Sequence, residues 1–257
     1  APVTPPPPSW KVLAHAHAHG LGMYDSYIPG LGTTGKSPGP FDLMGNTSGN
    51  ANSFFGFQRW VQGWIEDSEV ICDYTINSST IHSLTPLNQN SGKKLYVHPI
   101  DGTLALVIEF RTESEFDALK GNDGLLVYLI DMKVASLKGS ISIQPSEQDI
   151  VLSPRDDVEK YSRAPLSSGQ TVKVKDLVIV AEDVSQERAT FKVLTNIEFQ
   201  AKQDAEARAA AELKAKQESA AKAAAAKKTT ITCTKGKLTR KITAVRPKCP
   251  SGFTVKK

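Results

Sequence analysis

His15-Ala16-His17-Ala18-His19-Gly20-Leu21-Gly22-Met23-Tyr24-Asp25 is the stretch on which the reading of this chain turns. Three of the five histidines fall within it. On a strand all three would share one face. On a helix only His15 and His19 do, one turn apart, and His17 points elsewhere. The surroundings favour the helix: Ser9 is a candidate N-cap, and Gly20 and Gly22 close the segment begun at Trp10. The pattern is then H-x-x-x-H-x-x-G-x-x-D. Two histidines at i and i+4 present ring nitrogens side by side, a glycine turn follows, and Asp25 swings back as a third ligand. Two nitrogens and a carboxylate suit Zn²⁺ and leave a fourth position for water. The competing reading is a surface histidine tract that takes up metal without a built site. His82 and His98 sit in β-like segments and read as ordinary surface or hydrogen-bonded residues.

Residues 23–53 are rich in Gly, Pro, Ser and Asn, the composition of irregular backbone. A loop of that length in a compact domain is uncommon unless it is functional. Within it, Tyr24 and Tyr27 are candidate oxyanion donors or plain packing residues, and Asp42 reads as a turn residue that binds nearby amides. On the other side of the histidine segment, Pro2 and the run Pro5 to Pro8 predict an extended, polyproline-like entry. Ala1 reads as a processed or truncated end. Phe54 to Ile65 predicts a second helix, with Phe57, Trp60, Val61 and Trp64 as a core-packing stripe.

From Ser68 the pattern becomes β. Short runs rich in Val, Ile, Leu and Thr predict strands at 70–76, 95–99, 104–111, 124–131, 141–144, 171–174, 177–182 and 189–193. Turn residues divide them, and the spacing predicts an antiparallel sandwich or barrel-like module. Residues 196–228 are rich in Ala, Lys and Glu and predict a helix without an apolar seam, hence a solvated spacer and not a coiled coil. Beyond it, Thr-Ile-Thr-Cys and Lys-Ile-Thr-Ala-Val flank Lys235-Gly236-Lys237 as a small hairpin.

The formal charge of +4 is a sum of opposites. Residues 201–257 carry 15 Lys and Arg against 4 Asp and Glu, a charge of +11, and residues 1–200 carry 16 against 23, or −7. Any affinity for polyanions belongs to the tail: residues 201–257 are either a merely solvating basic stretch or an attachment to an anionic cell envelope. Nucleic acid is disfavoured because the tail has too few aromatics to stack bases. Cys233 and Cys249 lie in a segment too short to build its own core, which predicts a disulfide and an oxidising compartment. Cys72 stands apart. No apolar run reaches the ~18–20 residues of a membrane helix.

The histidine segment resembles the zinc metallopeptidases with H-E-x-x-H-x-x-G-x-x-[HD] and a Met-turn, and among these the secreted immune inhibitor A-type peptidases. Gly39-Pro40-Phe41-Asp42-Leu43-Met44-Gly45 is similar to that family's G-x-W/F-D-L-M turn, and Gly63-Trp64-Ile65 to its G-W-L helix end. Val107-Ile108-Glu109-Phe110-Arg111 and Gly124 to Asp131 are similar to its E-x-R and G-L-L-V-Y-x-x-D strands. The likeness covers roughly residues 10–195. The C-terminal segment around Cys233 and Cys249 resembles C-terminal modules of actinobacterial secreted proteins.

The resemblance implies an α+β protein. Residues 1–67 would be the C-terminal part of a zincin-type catalytic domain, comprising metal helix, Met-turn and helix. An antiparallel β-sandwich (68–195), a helical stalk (196–228) and a disulfide-closed hairpin module (229–257) would follow. It implies Zn held by His15, His19 and Asp25, with Met44 as the Met-turn residue, and hydrolysis of protein or peptide substrates by metal-activated water, outside the cell or on its surface. Two departures bear on activity. The family places Glu after the first histidine, where this chain has Ala16, and that Glu handles the proton. The family also has a sheet and helices before the metal helix, so the chain reads either as part of a longer protein or as one that lacks the upper wall of the cleft. A catalytically impaired relative that binds the envelope through its sandwich and tail is the alternative.

Overall fold

The two longest apolar runs become the centre of the fold. β4 (Leu104–Arg111) pairs antiparallel with β5 (Gly124–Asp131) along eight residues of each. β3 (Leu95–Pro99), β1 (Val70–Cys72) and β6 (Ile141–Ile143) complete a five-stranded sheet of order β1-β3-β4-β5-β6. A second sheet has four strands in the order β2-β9-β8-β7: β2 (His82–Leu84), β7 (Thr171–Val174), β8 (Leu177–Val184) and β9 (Ala189–Thr195). This computed structural model describes residues 9–29, 41–45, 47, 53–113, 123–146, 163–226 and 228–256. Pro2, the run Pro5 to Pro8, and Gly39 and Pro40 of the turn motif lie outside them.

The two sheets pack face to face, and the five-stranded one is covered on its far side as well. Leu106, Ile108, Phe110, Leu125 and Val127 of the five-stranded sheet pack against Val172, Ile179, Phe191 and Val193 of the other. The opposite face of the five-stranded sheet, with Val107, Leu126, Tyr128 and Ile130, is covered by Phe41, Phe55 and Ile65. A sheet buried on both faces needs apolar residues at successive positions, which is why β4 and β5 read as continuous runs. β7 instead alternates, with Val172 and Val174 buried and Lys173 exposed.

α1 (Trp10–Gly20) matches the expected first helix. Ser9 takes the N-cap position through its backbone, its carbonyl accepting from the Val12 and Leu13 amides, with no capping bond from its side chain. α2 (Gly56–Val61) is half the length expected. Gly63 adopts φ 71° just beyond it, so Trp64 leaves the helical stripe. Trp64 is 51 % exposed and Val61 65 %, which corrects their assignment to the core. Phe57 and Trp60 do pack against it.

A second correction concerns strand direction. β1 runs parallel to β3. Between them the chain crosses to the other sheet, where β2 pairs antiparallel with β9, and then returns. A crossover of this kind permits parallel pairing where a tight hairpin would not.

Contacts divide the chain into two compact units, Ala1–Phe199 and Gln200–Lys257. α3 (Asn196–Ala226) opens with a reciprocal cap: the Glu198 carboxylate accepts from the Thr195 amide and hydroxyl, and the Thr195 hydroxyl accepts from the Glu198 amide. Residues 200–223 are exposed throughout. Within the second unit β10 (Thr229–Lys235) pairs with β11 (Leu238–Ala244) as expected, and β12 (Thr254–Val255) adds a third strand. A disulfide joins Cys233 to Cys249. Cys72 is free and exposed.

Candidate metal centre

α1 places His15 and His19 on one face, while His17 is exposed elsewhere. The helix ends at Gly20, and Gly22 takes φ 87°, a conformation costly for any residue with a Cβ. The turn is closed by the Met23 amide, which donates to the Ala18 carbonyl at 3.0 Å. Asp25 is thereby carried back to the histidines.

Three donor atoms converge. His15 Nε2 lies 3.1 Å from His19 Nε2. Asp25 Oδ1 lies 3.1 Å from the first and 3.4 Å from the second. The other ring nitrogens have fixed partners: His15 Nδ1 is 3.0 Å from the Leu43 carbonyl, and His19 Nδ1 is 3.0 Å from the Met23 carbonyl. A carbonyl oxygen only accepts, so both Nδ1 atoms carry hydrogen. In the neutral rings both Nε2 atoms then carry lone pairs, and these face each other and the carboxylate. Asp25 Oδ1 is buried and accepts no hydrogen bond, although two ring nitrogens lie against it. Contact without a hydrogen bond is what three acceptors produce.

That set fits a small divalent cation. Zn²⁺ takes nitrogen and oxygen ligands at about 2.0–2.1 Å, and tetrahedral angles then separate the donors by about 3.3–3.4 Å. Backbone carbonyls that hold the distal ring nitrogens are the usual outer partners of metal-binding histidines. The side chains of His15, His19 and Asp25 are 19, 42 and 16 % exposed, so the cluster opens to solvent on the His19 side.

Met44 lies in the turn at residues 42–45 and is fully buried with Ala18 of α1 and Met23. The same turn aligns the cluster twice. Its Leu43 carbonyl receives His15 Nδ1, and its Met44 carbonyl accepts the amide of Ser26, the residue after Asp25, at 3.2 Å. Asp42 is fully buried beneath it and accepts from the Met44 amide, the Ser26 hydroxyl and Gln58 Nε2. Burial pushes the Asp42 carboxyl up to about 6, against the pull of those donors and of Arg111. Its role as a binder of nearby amides agrees with the sequence reading, and its links to Ser26 and Gln58 extend it.

The turn is tied to the five-stranded sheet by a network whose role the sequence did not reveal. Glu109 and Arg111, two apart on β4, face the same side and pair through Arg111 Nε. Glu109 Oε2 accepts from the Gly56 amide and the Tyr128 hydroxyl, each at 2.7 Å. Arg111 donates to the Phe41 and Phe54 carbonyls and to the Ser53 hydroxyl. Burial, and then the Glu109 carboxylate, push the Tyr128 phenol well above its usual range, so it remains a donor. A charged pair inside an apolar strand was the available signal. Gly56 is required here, since a Cβ would meet Leu95 at 2.5 Å and Glu109 at 2.9 Å.

Beside Asp25 lies a cavity of about 190 Å³, lined by Met23, Tyr24, Ser26, Gln58, Ile130 and Ile141 among others. Tyr24, one of the lining residues, is 74 % exposed, and Tyr27 is half-buried. Ala16 is exposed on α1 and presents a methyl group. His82 and His98 belong to the sandwich. His98 Nδ1 bonds the Asp73 carbonyl, and His82 packs against Tyr96 and Phe191, where burial lowers its pKa. Comparison with family models, curated proteins and solved structures returns no match.

Proposed function

We propose that this chain is a metallopeptidase-like zinc protein, with the ion held by His15, His19 and Asp25. The observation that carries this reading is the facing of three acceptor atoms within 3.4 Å, one of them a buried carboxylate oxygen without a donor. Repulsion among such atoms is relieved by a cation or by protons, and their spacing is that of a tetrahedral zinc site. When bound, zinc supplies Lewis-acid polarisation of a carbonyl and activation of water. The chain's own residues orient the ligands: Leu43 and Met23 through their carbonyls, and Met44 as the apolar floor behind α1. The order of motifs from His15 to Asp131 supports peptide bonds as the substrate class. The Cys233–Cys249 disulfide supports an oxidising, extracellular setting.

Ala16 favours impaired turnover. A methyl group neither accepts a proton from water nor returns one to a leaving amine, and acid–base catalysis of that kind contributes about 10²–10⁴-fold. The chain therefore keeps the ion and turns over peptides slowly or not at all. The test is zinc content together with hydrolysis of an unfolded protein substrate by wild type and Ala16→Glu. Bound zinc in both, with cleavage rising in Ala16→Glu, is expected. Chelator-sensitive cleavage by the wild type at ordinary peptidase rates would overturn the impaired reading, and failure of either protein to hold zinc would overturn the whole.

A further inference from the structure

Residues 228–257 contain nine Lys and Arg and no Asp or Glu. The four acidic residues of the tail, Asp204, Glu206, Glu212 and Glu218, all lie on α3, where Glu212 pairs with Lys216 at 2.7 Å. No acidic side chain within the module neutralises the charge of its sheet. Exposed antiparallel sheets gain from opposite-charge pairs across strands, and this one has none.

Strand alternation gives the sheet two unlike sides. Ile231, Cys233, Lys235, Leu238, Arg240 and Val255 share one side. The disulfide and the segment up to Phe253 lie on it: the Arg240 guanidinium sits 5.5 Å over the Phe253 ring, and the Lys235 side chain runs against Gly252. The other side carries Thr230, Thr232, Thr234, Thr239, Thr243 and Thr254. The Thr230 and Thr243 hydroxyls meet across the strands at 2.7 Å. Lys241 lies opposite Thr232 on this side, and Lys256, whose amide bonds the Thr232 carbonyl, extends it. Strand propensity accounts for the threonines. It does not account for the missing acids.

We propose that this threonine face is the docking surface for an anionic polysaccharide, with Lys241 and Lys256 meeting its carboxylates. Threonine hydroxyls both donate and accept, as sugar hydroxyls do. An extended polymer would run along the exposed Thr230, Thr239, Thr243 and Thr254 and meet ammonium groups that no acidic side chain of the module neutralises. Nucleic acid fits less well: Phe253 is the one aromatic residue in 200–257, and it lies under Arg240 on the covered side, which leaves no stacking platform. A lipid surface fits less well because the exposed apolar residues Leu238 and Val255 lie on the side away from the threonines.

The full chain is tested against immobilised polygalacturonate, with neutral dextran, duplex DNA and phosphatidylserine vesicles as further arms. Polygalacturonate is bound at low salt and released as ionic strength rises, while dextran is not bound. Lys241→Gln/Lys256→Gln weakens binding about five- to tenfold, as two exposed charge contacts would. Lys202→Gln/Lys222→Gln, which removes the same charge from α3, weakens it less than about twofold. Thr232→Val/Thr239→Val weakens it without changing the salt dependence. Equal loss from the two lysine pairs, tighter binding to DNA or vesicles than to polygalacturonate, or no binding at low salt would overturn the proposal.

Discussion

Two sets of carboxylates in the first unit are built on opposite terms. Asp42 and Glu109 are fully buried, and each meets several donors: an amide, a hydroxyl and an amide side chain for Asp42, and a guanidinium, a phenol and an amide for Glu109. Asp25 Oδ1 is also buried, yet it faces two imidazole nitrogens that are acceptors themselves. The same turn, residues 41–45, touches both sets. Buried polar groups are normally satisfied. Asp42 and Glu109 are met by donors on every side, whereas Asp25 stands against two lone pairs, and that contrast is what supports the proposed cation site. The satisfied set makes the frame, and the unsatisfied set makes the candidate site.

Arg111 carries the largest expected effect. Arg111→Met leaves Glu109 buried without its counter-charge and frees the Phe41 and Phe54 carbonyls. Loss of one partner of a buried pair costs about 3–5 kcal/mol, read by denaturant unfolding of the first unit. A loss below about 1 kcal/mol would show that the pair does not hold the frame.

Asp42 gives a pH signature of intermediate size. Its folded pKa of about 6 stands above the unfolded value of 3.8. Its carboxyl therefore contributes stability that is fully present below pH 3.8 and lost as pH rises through about 6. Wild type should gain on the order of 2–3 kcal/mol relative to Asp42→Asn as pH falls from 7 to 4. The difference between the two proteins cancels the opposing contribution of His82, whose lowered pKa favours folding at higher pH. Parallel pH profiles would remove Asp42 from the account.

The smallest effect is at Gly22. Ala at φ 87° costs about 1 kcal/mol, and open space around the position leaves no clash to enlarge it. The informative readout is zinc affinity, which falls because the turn that returns Asp25 to the histidines is strained. Unchanged affinity with lowered stability would mean that the turn takes the strain without moving Asp25 off the histidines.

Much of the frame could be read from the sequence because the physics was local. β3, β4 and β5 appear where their apolar runs predicted them, and the pair Cys233 and Cys249 follows from a segment too small to support itself. The donors were legible because helix periodicity puts His15 and His19 on one face. β2 was missed, since three residues with one aliphatic side chain, His82-Ser83-Leu84, carry no periodicity. The parallel pairing of β1 was missed because direction is set by where the chain travels between residues 73 and 94. The stripe from Phe57 to Trp64 misled because Gly63 ends it with a turn that composition does not reveal. Ser26 and Gln58 are common polar residues, and only the fold brings them to Asp42.

A built zinc site at His15, His19 and Asp25 and a surface histidine tract respond differently to loss of His17. Competitive titration of the full chain with a zinc chelator of known affinity, for wild type, His15→Ala and His17→Ala, separates them most directly. One tightly held zinc per chain is expected in wild type and in His17→Ala, and its loss in His15→Ala. Zinc lost equally from both variants, or unchanged in His15→Ala, would contradict the built site.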